Sequence, residues 1–217
     1  MPARTRLKVC CIASVDEAQL AIAAGADALG LVARMPSGPG PIDDDLIATI
    51  ADTVCPPVAT FLLTCEVDPD AVVGHVRRTR VNTVQLVDDA VKPDVYAALR
   101  KAAPAVRIVQ VVHVRARDSV ALALAAADHV DALLLDSGNP HARELGGTGR
   151  THDWVLSREI AERSARPVFL AGGIGPSNVA DAIERVRPFG IDLCSGVRTN
   201  GALDEAKLIA LTAAMRR

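Results

Sequence analysis

Along this chain, short apolar runs rich in β-branched residues alternate with longer stretches whose apolar positions recur at helical spacing. One such cycle occupies about 25 residues. The strand-like runs are LKVCCI (7–12), DALGLVA (27–33), PVATFLL (57–63), TVQLV (83–87), RIVQVVHV (107–114), DALLLD (131–136), PVFLAG (167–172) and IDLCSG (191–196). Between and after them the pattern predicts helices over 15–25, 43–54, 68–79, 91–103, 117–128, 153–165, 176–187 and 204–215. Ser14, Asp68, Ser177 and Asp204 stand where helix N-caps belong. Most of the strand runs are continuously apolar, as expected of strands covered on both faces.

The pattern therefore predicts eight β and eight α units in strict order. No linker or composition break interrupts them, so residues 1–217 read as one domain. Two architectures accept such repetition: an open doubly wound sheet and a closed (β/α)8 barrel. Eight repeats with nothing left over favour the α/β class in its TIM-barrel form, whose usual size is about 250 residues. The dinucleotide-binding alternative calls for GxGxxG after the first strand, and CIASVD stands there instead.

Composition narrows the function. The 217 residues are 50% hydrophobic and 23% charged, with a formal net charge of −2, so no basic patch points to nucleic acid. Aromatic residues are only 2%, which also argues against a base-stacking surface. No apolar run reaches the ~20 residues a membrane helix needs, so no membrane partner is expected. The start of the chain has no apolar stretch resembling a signal peptide. Five cysteines, with no CxxC spacing, indicate neither a disulfide framework nor a zinc knuckle. The expectation is a reduced cytoplasmic protein.

In a barrel, chemistry gathers where the strands end and in the loops that follow. Three glycine clusters lie at such places: Gly146–Gly149, Gly172–Gly175 and Ser195-Gly196. Glycine lets backbone N–H groups come close to a phosphate, and a following helix adds its positive dipole end. Ordinary turns use glycine too, but clusters at the ends of two consecutive strands fit a phosphate seat better. Asp136, ending ALLLD, is either a turn cap or a placed acid; a desolvated aspartate has a raised pKa and can donate a proton near neutral pH. Cys10 and Cys11 should point to opposite sides of the first strand. One is then expected at the barrel interior and the other, as packing, against the helices.

Taken in order, these segments resemble phosphoribosylanthranilate isomerases over essentially the whole chain. The matching pieces are Lys8-Val9-Cys10, GADALG (25–30), Leu133–Asp136, Gly146–Gly149 with Asp153-Trp154, LAGGIGPSNV (170–179) and RPFGIDLCSGV (187–197). The resemblance implies an intramolecular aldose–ketose isomerisation, an Amadori rearrangement of a phosphosugar amine in tryptophan biosynthesis, with no cofactor. It implies Asp136 as general acid and Cys10 as general base. It further implies Gly147, Gly149, Gly172, Gly173, Ser195 and Gly196 as the phosphate seat, in a monomer or homodimer. Cys11 is then the packing residue.

The other half of the pattern departs from the family. The second loop reads MPSGPGPI (35–42) where the family carries Ser-Pro-Arg, whose arginine pairs with the anthranilate carboxylate. Arg34, just before the loop, is the substitute candidate. Val87 and Asp88 stand in place of a His-Gly pair, Gln110 and His113 in place of a lysine and an arginine, and Cys11 in place of a glycine. A lost arginine–carboxylate contact forfeits about 1.5–3 kcal/mol. The alternative expectation is a divergent paralogue that binds or acts on a different phosphosugar amine.

Overall fold

A computed structural model describes residues 4–36, 38–137 and 153–216. Eight strands pair in parallel, each with the next and the last with the first, into a closed barrel. They are β1 (Arg6–Val9), β2 (Ala28–Val32), β3 (Ala59–Thr64), β4 (Thr83–Leu86), β5 (Arg107–His113), β6 (Ala132–Asp136), β7 (Val168–Leu170) and β8 (Gly190–Leu193). The helices packed outside are α1 (Val15–Ala23), α2 (Asp44–Thr53), α3 (Pro69–Thr79), α4 (Pro93–Ala102), α5 (Asp118–Ala127), α6 (Trp154–Arg163), α7 (Val179–Val186) and α8 (Glu205–Ala214). The (β/α)8 expectation is therefore met, each predicted strand and helix appearing within a few residues of its expected span. A short 3-10 turn (Ser195–Val197) and the small antiparallel pair β9 (Arg198–Thr199) and β10 (Ala202–Leu203) lie between β8 and α8. The apolar pattern does not announce these elements.

The alternation of side chains divides the apolar residues into two cores. Leu7, Leu29, Leu31, Leu62, Ile108, Leu133 and Leu135 face outward onto the helices. Ala28, Phe61, Leu63, Val109, Val111, Leu134 and Phe169 fill the barrel. Phe61 meets Phe169 edge to face, with centroids 5.9 Å apart. Covered on both sides, the strands are apolar throughout.

Local chemistry sets the helix starts. Ser14 Oγ accepts from the Glu17 amide at 3.1 Å, Asp68 from Ala71 at 2.9 Å and Asp204 from Lys207 at 3.1 Å. Ser177 is different: α7 begins one residue later, with Asn178 at the cap position. Asn178 instead accepts from the Gly175 amide at 2.8 Å and donates to the Gly173 carbonyl at 2.9 Å, stapling the glycine turn that precedes the helix.

One cysteine departs from the alternation argument. The β1 ladder ends at Val9, and Cys11 adopts the left-handed conformation with φ of 62°. Once the chain leaves the extended form, side chains no longer alternate. Cys11 therefore turns inward with Cys10 instead of facing the helices. A non-glycine residue there costs about 1–2 kcal/mol.

Candidate active site

Cys10, Asp136, Gly172, Gly173 and Ser195 line a single cavity at the C-terminal mouth of the barrel. Gly196 backs it: a Cβ there would come within 2.1 Å of the Ile174 carbonyl oxygen, so the close approach of the two glycine loops admits no side chain. Cys11 and Cys194 line the cavity as well, correcting the assignment of Cys11 to the helix side. Met35, Gly38 and Pro39, from the loop after β2, form the opposite wall. Arg34 is exposed, and its side chain is not among the cavity-lining groups. Gly147 and Gly149 lie outside the described residues.

The acid candidate is placed by the last residue of β6. Asp136 is buried, with an 8% exposed surface, and burial pushes its carboxyl pKa up from the ordinary aspartate range. The Ser137 amide, donating to its Oδ1 at 2.7 Å, and His113 pull the other way, while the Asp192 carboxylate adds to the rise. The net shift is upward, the direction a proton donor requires.

Beneath the base candidate sits a buried ion pair. Lys8 Nζ donates to Asp192 Oδ1 at 2.8 Å, inside the barrel. Burial opposes the ammonium, but Asp192 overrides it and the Lys8 pKa is raised, with Cys10 and Cys11 also contributing. Lys8 thus stays charged, and negative charge forming at Cys10 has a fixed cation for a neighbour. Gly30 on β2 makes this crowding possible. A Cβ at that position would lie 2.6 Å from Cys10 Sγ and 3.1 Å from Lys8 Nζ.

The candidate anion seat is marked by its backbone geometry. Gly172 and Gly173 have φ of 86° and 63°, and among the described residues no protein acceptor takes their amides. Set against the described residues, both N–H groups are without a protein acceptor, beside the loop that carries Ser195 and Gly196. Gln85 on β4 also lines the cavity, and its buried Oε1 has no partner among the described residues. Sequence reasoning passed over Gln85 and Asp192. The signal was a polar residue at an inward position of a strand, as in LKVCC for Lys8. Gln110 and His113 are used locally. Gln110 accepts from Tyr96 Oη at 2.9 Å and donates to the Leu86 carbonyl oxygen at 3.2 Å, while His113 Nε2 donates to Val87 O at 3.1 Å.

Among the described residues no cluster of three or more His, Cys, Asp or Glu side chains could hold a metal ion. Nor is any described helix long and apolar enough to cross a membrane.

A family model described as N-(5'-phosphoribosyl)anthranilate (PRA) isomerase matches residues 7–214. An N-(5'-phosphoribosyl)anthranilate isomerase of Halobacterium salinarum is 38% identical over 213 residues, covering 96% of this chain and 94% of its own. The crystal structure of phosphoribosyl anthranilate isomerase from Thermotoga maritima superposes with a TM-score of 0.82 at 28% identity, covering 98% of both chains. A second crystal structure of such an isomerase, in complex with reduced 1-(o-carboxyphenylamino)-1-deoxyribulose 5-phosphate, gives a TM-score of 0.79 at 26% identity, again over 98% of both chains.

Proposed function

The chain belongs to the N-(5'-phosphoribosyl)anthranilate isomerase family, and from that premise we propose that it converts this aminoaldose phosphate to its aminoketose by an Amadori rearrangement. The observation that carries the reading is the convergence of Cys10, Asp136 and the Gly172-Gly173 and Ser195 loops on one cavity. The backbone N–H groups of Gly172 and Gly173 bind the substrate phosphate, together with the Ser195-Gly196 turn. Asp136 protonates the ring oxygen, the C1–O bond breaks, and the nitrogen lone pair forms the iminium. Cys10, as thiolate, removes the C2 proton, which the neighbouring positive charge has acidified. The C2–H electron pair then neutralises the iminium and leaves an enolamine, which tautomerises to the ketone. Each general acid or base contributes about 10²–10⁴-fold.

The test is turnover of N-(5'-phosphoribosyl)anthranilate by purified protein, together with rescue of a tryptophan auxotroph lacking this step. Cys10→Ala and Asp136→Asn are each expected to abolish both. Full activity in either variant removes that residue's role, and an inactive parent removes the function.

One observation favours a second reading. The described residues that line the cavity include no arginine, lysine or histidine. On that reading the same acid and base act on a phosphosugar amine without a carboxylate. Faster turnover of such an analogue than of the anthranilate compound would select it.

A further inference from the structure

The mechanism leaves two thiols in the cavity unused. Cys11 follows the base candidate, and Cys194 precedes the serine of the anion seat. Their sulfurs lie 2.7 Å apart, across the junction of the adjacent strands β1 and β8. A disulfide needs about 2.05 Å, so closing this pair takes a sulfur movement of less than 1 Å. Three surroundings make the pair more than an accident of packing. Cys11 occupies a left-handed position that favours glycine, yet presents its side chain into the mouth. The loop after β2 presses on it, since a Cβ at Gly40 would lie 2.6 Å from the Cys11 Cβ. On the other side, the Arg198 guanidinium donates to the Cys11 carbonyl oxygen and, at 2.9 Å, to Glu17, holding a cation next to the sulfurs.

We propose that Cys11 and Cys194 form an oxidisable dithiol whose disulfide, made by a peroxide, pins the β8 loop and weakens ligand binding in the anion seat. The two thiols are electrostatically unequal. The hydrogen bond with Cys11 lowers the Cys194 pKa, burial opposes this, and Arg198 adds to the lowering. Hydrogen bonds to Cys10 and Cys194, followed by burial, push the Cys11 thiol up. Cys194, which is also the more exposed of the two, therefore supplies the thiolate. Its sulfur attacks one peroxide oxygen, the O–O bond breaks, and the departing hydroxide takes a proton to leave as water. The resulting sulfenic acid is attacked by Cys11 sulfur. The S–S bond forms, the S–O bond breaks, and the Cys11 proton leaves with the hydroxyl as a second water. Overall, two thiols are oxidised by two electrons and one peroxide is reduced to two waters. Cys10 keeps its thiol throughout.

The experiment treats reduced, purified protein with hydrogen peroxide at low molar excess, traps the remaining thiols with iodoacetamide and maps peptides by tandem mass spectrometry. The expected product joins Cys11 to Cys194, with Cys10 alkylated and the exposed Cys55 serving as the unassisted reference. A bridge from Cys194 to Cys10, a Cys10–Cys11 bridge, or oxidation of Cys55 before the pair overturns the proposal. The kinetic arm rests on the isomerase reading, whereas the mapping arm does not, so the two can fail separately. In the parent, KM is expected to rise about tenfold on oxidation, equivalent to about 1.4 kcal/mol and to one weakened charge-assisted hydrogen bond. Dithiothreitol is expected to reverse it. Each variant is compared with its own untreated activity. Cys11→Gly suits the backbone at that position, and Cys194→Ser is an independent check. A reversible KM change that persists in either variant, or a mapped bridge with no change in KM, contradicts the proposed effect on the seat.

Discussion

Replacing Gly30 with alanine probes the site without replacing a reacting group. The added methyl would lie 2.6 Å from Cys10 Sγ, 3.0 Å from Cys10 Cα and 3.1 Å from Lys8 Nζ. Non-bonded heavy atoms settle at roughly 3.5–4.0 Å, so the thiol must retreat by about 1 Å. The nearness of the Cys10 backbone blocks the simplest escape, because moving it drags the end of β1. Overpacking of this kind costs about 1–3 kcal/mol of stability. A misplacement of about 1 Å at a reacting group costs on the order of 10²-fold in rate. The proposed phosphate loops follow β7 and β8 and do not touch Gly30, so the loss is expected in kcat, with KM nearly unchanged. Steady-state kinetics and thermal melts at one pH give both readouts. A Gly30→Ala enzyme with parental kcat would refute the placement of the Cys10 thiol against β2.

Two further outcomes follow from the buried charges. The raised Asp136 pKa means that the folded protein binds this proton more tightly than the unfolded chain does. The stability it contributes is full below the unfolded value, about 3.9, and is lost as pH rises through the higher folded value. Asp136→Asn, which keeps the Ser137 N–H contact, should therefore melt higher than the parent at pH 8, with the gap closing toward pH 4. A constant gap across that range would show that ionisation of Asp136 is not the cause. Asp192→Asn should destabilise the barrel by about 3–5 kcal/mol in denaturant titrations, because it strands the Lys8 ammonium. Parental stability in this variant would mean that Lys8 has another counter-ion.

How far the sequence was legible depends on how local the physics is. Apolar runs and their period located the strands and helices, because each strand is buried on both sides and each helix on one. Ser14, Asp68 and Asp204 were legible because capping involves residues only three apart. Cys11 was misread because alternation holds only within the ladder, and the ladder stops two residues earlier. Ser177 was misread because Asn178 is committed to the preceding turn. The Cys11–Cys194 pair joins residues from opposite ends of the chain, and only barrel closure brings β8 beside β1. Among the site residues, Asp136 and the 172–173 glycines were marked by their position at strand ends. Gln85 and Asp192 lie mid-strand, where a lone polar residue is easily passed over.

The central claim is that one sugar phosphate reaches Cys10, Asp136 and the glycine seat together. A crystal structure of this protein with the reduced carboxyphenylamino-deoxyribulose phosphate tests it most directly. The account predicts phosphate oxygens on the Gly172 and Gly173 amides, with the Cys10 sulfur and the Asp136 carboxyl both within touching distance of the sugar carbons and oxygens. Phosphate bound elsewhere, or a sugar that reaches only one of the two groups, would contradict it.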